Sequence, residues 1–224
     1  MMRSLYTAAT GMESQQTTID TISNNLANVN TTAFKRSRAN FHDLLYQTLR
    51  APGQSSTSGT VVPSGIQIGS GSKVSSVEKM FNEGAIRITN KSTDLMVEGE
   101  GFFRVQKDDG TMAYTRDGSF RIDNTGRIVT ADGFPLYPEV TVPERVPHNK
   151  IHIGIDGHIS ARIGDQTEDL GQVILANFVN PTGLDSQGRN LYGATPASGC
   201  LLYTSDAADD MQCVDLGGRR IIKK

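Results

Sequence analysis

The sequence predicts a mainly β protein carried on one N-terminal axial α-helix. Three observations carry this: a heptad pattern confined to the first thirty residues, a succession of short apolar runs punctuated by Asp-Gly turns from Lys73 onward, and a composition of 23 Gly, no Trp and only 37% hydrophobic residues. Such a composition suits a turn-rich, strand-rich body better than a helical bundle. With 224 residues the chain is long enough to bury a core.

In the opening segment Leu5, Met12, Ile19 and Leu26 recur every seven residues. Ala8, Ile22 and Val29 fill the position three further on, with Gln15 the one polar intruder. A two-in-seven stripe is too narrow for a globular core and suits packing against another helix. Leu5, Met12, Ile19, Ile22, Leu26 and Val29 are therefore the expected assembly interface, the bland alternative being a helix docked on its own domain. The cluster Asn24, Asn25 and Asn28 is expected to satisfy backbone groups where the helix leaves the assembled core.

After Arg38, Phe41, Leu44, Leu45 and Leu49 share a helical face, with Asn40 as cap and Ala51-Pro52-Gly53 as stop, so a short helix is expected there. Gln54 to Gly59 is Ser/Gly-rich and reads as a loop. The expected strands are Val74 to Val77, Ala85–Ile88, Leu95–Val97, Phe102–Val105 and Gln172–Phe178. Asp108-Asp109-Gly110 reads as a turn, and Tyr114–Ile122 as a hairpin turning at Asp117-Gly118. Two similar units follow, Ile122–Val129 and Ile153–Ser160. The expected segments are thus 1–38, 39–72, 73–180, a return segment 181–199, and a tail 200–224.

Lys plus Arg number 22 against 24 Asp plus Glu, a formal charge of -2 without any basic cluster, which argues against a nucleic-acid partner. No run approaches the roughly 18 apolar residues of a membrane span, and the N-terminus has no apolar signal-peptide core. Chemistry is equally sparse. Gly99-Glu100-Gly101 and Gly69-Ser70-Gly71 lack the third glycine and the βαβ setting of a nucleotide site. His42, His148, His152 and His158 lack helical metal-pair spacing and read as turn residues. Asp108, Asp109, Asp117, Asp123, Asp132 and Asp156 neighbour glycines and read as turn formers, not catalytic acids or calcium ligands. Without a Gly-x-Ser-x-Gly elbow either, no enzyme, cofactor or metal is expected.

Ser4-Leu5-Tyr6 with Thr10-Gly11-Met12, then Asn24-Asn25-Leu26-Ala27-Asn28 and Phe34-Lys35-Arg36, resemble the N-terminal signature of the bacterial flagellar rod and hook proteins. Gly99–Val105, Tyr114–Phe120, Gly183-Leu184 and Asn190-Leu191-Tyr192 continue the resemblance to about Gly199. Asp43–Thr48 and Pro63–Gly69 are similar to an insertion of the distal rod type, which implies a segment that stiffens the tube. The resemblance implies a structural subunit that reaches the envelope-spanning, periplasmic rod through type III export and polymerises into a helical tube. Its implied partners are copies of itself, other rod proteins, the hook protein and, in Gram-negative cells, the P- and L-ring proteins. A proximal rod or hook paralogue is the nearest alternative. From another class, a secreted cell-wall-binding or hydrolytic β protein would need a carboxylate pair in an aromatic cleft, and the lack of Trp argues against it.

The family pattern stops at Cys200. The family implies a C-terminal heptad helix paired with the N-terminal one, and 200–224 has no such periodicity. Leu201–Asp210 and Val214–Ile222 resemble translated sequencing adapters, so the tail is expected to be an assembly artefact and the partner helix to be missing. The tail also holds both cysteines, Cys200 and Cys213, which fit no metal or redox motif.

Overall fold

The computed structural model describes residues 2–53, 64–143, 151–163, 166–203 and 221–223. The expected loop at Gln54–Gly59, His148, Cys213 and most of the tail lie outside them. The chain divides into two compact units, one of Met1–Thr31 with Lys35–Met80, the other of Thr32–Phe34 with Phe81–Lys224.

Unit one is built on α1 (Met2–Ala27), the expected helix, which stops at Ala27, so Val29 lies in the following turn. Two antiparallel ribbons follow. β1 (Ser37–Asp43) pairs with β4 (Ser72–Lys79), and β2 (Tyr46–Arg50) pairs with β3 (Ile66–Gly69). The expected short helix at Phe41–Leu49 is therefore replaced by strands. A helix of about ten residues is marginal by itself, and Asn40, His42, Asp43 and Thr48 are poor helix formers. Pairing with β4 and β3 satisfies the same backbone groups along two ladders, each interrupted by one register shift, at Asn40/Phe41 and at Thr48/Arg50.

Unit two holds all the buried hydrophobic residues among those described. Its strands are β5 (Leu95–Val97), β6 (Phe102–Gln106), β7 (Met112–Thr115), β8 (Arg121–Ile122), β9 (Ile128–Val129), β10 (Leu136–Tyr137), β11 (Ile151–Ile153), β12 (His158–Ile163), β13 (Gln166–Gln172) and β14 (Leu175–Phe178). β15 (Asp185–Gly188), β16 (Leu191–Gly193), β17 (Leu201–Tyr203) and β18 (Ile221–Lys223) complete it. The main sheet runs β15-β16-β7-β6-β14-β17, with β10 also on β6. β11-β12-β13 form a second sheet.

The apolar cluster of Leu95, Phe103, Phe120, Leu136, Ile159 and Leu175 lies to one side of β6. Phe102, Tyr114, Phe178 and Tyr192 cluster separately. Neighbouring residues of β6 thus point to opposite faces, and Phe102 and Phe103 fill two different cores.

Three strand expectations change. Tyr114–Ile122 is not a hairpin: β7 pairs with β6 and β16, while Arg121-Ile122 pairs with β9. Gly118 has no positive φ. Its glycine serves a close approach instead, because Leu95 N donates to Gly118 O at 2.9 Å and a Cβ there would sit 1.9 Å from Leu95 O. Ala85–Ile88 is not a strand, because among the described residues no other strand runs beside it. The tail, expected to stand outside the fold, gives β17 and β18, which pair with β14 and β5. An apolar triplet such as Leu201-Leu202-Tyr203 readily completes an open sheet edge. The expected turns at Gly110, Gly126 and Gly157 all have positive φ.

Candidate assembly interface

The two faces of α1 have opposite chemistry. Arg3, Thr7, Thr10, Ser14, Thr18, Thr21 and Asn25, three or four residues apart, form its less exposed side. Ser14 is the one buried helix residue. The hydroxyls of Thr7, Ser14, Thr17, Thr18 and Thr21 donate to the carbonyl four residues back, at 2.8–3.1 Å. Short side chains whose polar groups are already satisfied let backbone approach closely. Ser14 Oγ lies 2.9 Å from Ser72 Oγ, and Arg3 reaches Gln47 Oε1 and, at 3.0 Å, Ile68 O. Gly71 (φ 116°) sits so near that a Cβ would come within 2.2 Å of Thr10 Oγ1.

The opposite face carries the heptad seam. Leu5, Met12, Ile19, Ile22 and Leu26 are 58–69% exposed, and Val29 beyond the helix is 70% exposed. Ala8, Gly11, Met12, Gln15, Gln16 and Ile19 line an open groove along it. Gly11 has free space where a Cβ would project. Mid-helix glycine costs roughly 1 kcal/mol relative to alanine, and among the described residues no contact at that Cβ position explains the cost.

The signature beyond the helix is a polar clasp. Asn28 N donates to Asn24 O at 3.2 Å, and Asn28 Nδ2 donates to Asn24 O and Oδ1 at 3.0 and 2.9 Å. Asn25 exchanges two hydrogen bonds with the backbone of Ser37, both 2.8 Å. Ala27 is exposed, Lys35 is buried and Arg36 O accepts from Met80 N at 2.9 Å. In unit two, Asn190 Nδ2 donates to Thr32 O at 2.9 Å, and Phe34 is half-buried. Sequence reasoning missed the polar stripe, although Thr7, Thr10, Ser14, Thr21 and Asn25 display its spacing openly.

Ribbon electrostatics are mild. Hydrogen bonds from Asn40 and then Arg38 hold the Glu78 carboxyl below its usual range, and burial lowers the Lys79 ammonium. Asp109 and Asp117 accept from the backbone N–H and hydroxyl two residues on, the geometry of turn formers. His158 Nδ1 lies 3.7 Å from Asp169, while His42 and His152 are exposed on strands. Among the described residues no group of three or more His, Cys, Asp or Glu is arranged to hold a metal.

Comparison with known proteins places these features. Residues 5–35 match the family described as flagella basal body rod protein, and residues 96–161 match the D1 domain of the flagellar hook proteins FlgE/F/G. A relative from Buchnera aphidicola subsp. Schizaphis graminum, the flagellar basal-body rod protein FlgG, is 48% identical over 208 residues, 92% of this chain and 79% of the relative. The chain belongs to the flagellar basal-body rod protein family. FlgG of Borreliella burgdorferi is 45% identical over 201 residues, 89% of this rod-family chain and 76% of the relative. The flagellar hook protein FlgE of Helicobacter mustelae aligns over 135 residues at 42% identity, 60% of this chain and 30% of the hook protein. The rod-type match thus runs through both units, and α1 with its clasp coincides with the segment that the rod family model covers.

Proposed function

We propose that this chain is a structural subunit of the distal flagellar rod, which polymerises into the basal-body shaft that carries torque toward the hook. The carrying observation is the uncovered seam of Leu5, Met12, Ile19, Ile22 and Leu26 on a helix whose other face is already occupied. Burial of one such side chain gives roughly 1.5–3 kcal/mol, so a few of them supply the driving force of a polymer contact. The role is mechanical and needs no catalytic group. Copies of the same chain are the immediate partners; neighbouring rod and hook proteins, and the P- and L-ring proteins in Gram-negative cells, are the outer ones. A hook-subunit reading accounts for less of the chain, as the shorter match to FlgE indicates.

The test uses the full chain expressed in rod-deficient cells, followed by isolation of basal bodies. Met12→Asp with Ile19→Asp is expected to leave unit two folded and to abolish incorporation into rods, since both side chains are exposed in the monomer. Normal rods built from that variant would reject the seam as the assembly surface.

A further inference from the structure

Gly84–Ile88 is a strand-patterned run with no strand beside it among the described residues. Among the described residues none of its backbone N–H or C=O groups makes a hydrogen bond, and all five residues are exposed. Ile86 is 61% and Ile88 85% exposed, one residue apart on either side of Arg87. Yet both flanks are fastened to unit two. The Phe81 ring meets Phe102 and Tyr192 edge-on at 5.4 and 5.3 Å, and the Glu83 carboxylate accepts from Gly99 N. On the other flank Thr89 Oγ1 donates to Asp94 Oδ2 at 2.8 Å. A run with free ladder groups and alternating apolar residues, held at both ends, is suited to accept a strand.

We propose that Gly84–Ile88 receives β3 of a second copy of this chain, with Ile66 and Ile68 laid beside Ile86 and Ile88; this rests on the polymer reading above. Three features select that occupant. Among the described residues β3 has one sheet neighbour, β2, so its other edge carries no strand, and the one other group on its backbone is the Arg3 guanidinium at Ile68 O. Ile66-Gln67-Ile68 matches Ile86-Arg87-Ile88 in length and period, and Ile66 and Ile68 are themselves 46% and 45% exposed. Pairing therefore gathers all four isoleucines on one face.

Charge makes the third argument. Arg87 has no ion pair among the described residues. Two copies of the run paired with each other, isoleucine against isoleucine, would oppose Arg87 to Arg87, and like charges directly opposite are destabilising. β3 offers Gln67 at that place instead. Its Nε2 donates to Thr48 Oγ1 at 3.3 Å, which leaves the amide oxygen for the guanidinium. Strands β13 and β15, at two other sheet edges, present mostly polar residues (Gln166–Gln172, Asp185–Gly188) and would leave Ile86 and Ile88 uncovered.

The test is cross-linking of the full chain in a Cys200→Ser, Cys213→Ser background. One preparation carries Gln67→Cys, another Arg87→Cys; both positions are exposed, so folding is preserved. The two are mixed, allowed to polymerise and oxidised. A disulfide dimer joining position 67 of one chain to position 87 of another is the expected product, absent from either preparation alone. Ile86→Asp with Ile88→Asp should raise the concentration needed for polymerisation by about tenfold or more. Dimers only of like with like, or polymers without any cross-link, would overturn the strand pairing while leaving the polymer reading intact. Chains that do not polymerise at all would overturn both.

Discussion

The side-chain amide of Asn25 pairs with the backbone of Ser37 in both directions, Nδ2 donating to Ser37 O and Oδ1 accepting from Ser37 N, each at 2.8 Å. The amide stands in for a neighbouring strand, so the first residue of β1 is tied to the last turns of α1. This fixes where the chain doubles back and hence how α1 lies along the ribbon formed by β1 and β4. Asn25→Ala leaves both Ser37 groups without that partner, at a cost of about 1–3 kcal/mol to the local structure. The expected result is faster hydrogen exchange at the Ser37 amide, with exchange in the unit-two sheet unchanged. Unaltered protection of Ser37 would show that the pairing does not hold the helix.

Gly118 offers a test of close backbone approach as distinct from turn chemistry. A methyl group at Gly118 would lie 1.9 Å from Leu95 O, a backbone atom that cannot swing aside. At Gly110, by contrast, φ is +76° but the space is open. Gly118→Ala should therefore cost unit two roughly 2–4 kcal/mol by forcing β5 away, while Gly110→Ala should cost only about 1 kcal/mol of backbone strain. Thermal unfolding of the two variants side by side checks the order. Equal losses would mean that the contact with Leu95 relaxes easily.

Local pattern and long-range pairing explain what was legible. The heptad of Leu5, Met12, Ile19 and Leu26 announces α1 because helix periodicity is written within one segment. Asp123 to Gly126 and Asp156-Gly157 announce their hairpins because a tight turn needs left-handed backbone at a fixed place. Phe41, Leu44, Leu45 and Leu49 mislead, since what decides their conformation is β3 and β4, more than fifteen residues away along the chain. Asp117-Gly118 misleads likewise: the same dipeptide that closes hairpins also lets two backbones touch. Ala85–Ile88 has the pattern of a strand and, among the described residues, lacks only the neighbour. The seam of α1 was legible as a surface, whereas its polar underside of Thr7, Thr10, Ser14 and Thr21 shows only in its three- and four-residue spacing, because small hydroxyl residues carry no hydrophobic signal.

Tyr192 makes the stability of unit two sensitive to alkaline pH. Its ring packs edge-on against Phe81 and Phe102, and burial pushes its pKa from an ordinary 10.0 up to about 12, against a smaller lowering by the nearby Arg116. The folded state thus keeps the phenol proton where the unfolded chain has begun to lose it. The stabilising contribution is complete below about pH 10 and is lost as pH rises through about 12, in total on the order of 2 kcal/mol. Tyr192→Phe keeps the ring contacts and removes the titration. Denaturant unfolding from neutral pH upward should show the natural chain losing stability above about pH 10 more steeply than the variant, with similar slopes below. Parallel curves across that range would mean that the Tyr192 hydroxyl reaches solvent in the folded protein and that the aromatic cluster opens more readily than its edge-on packing implies.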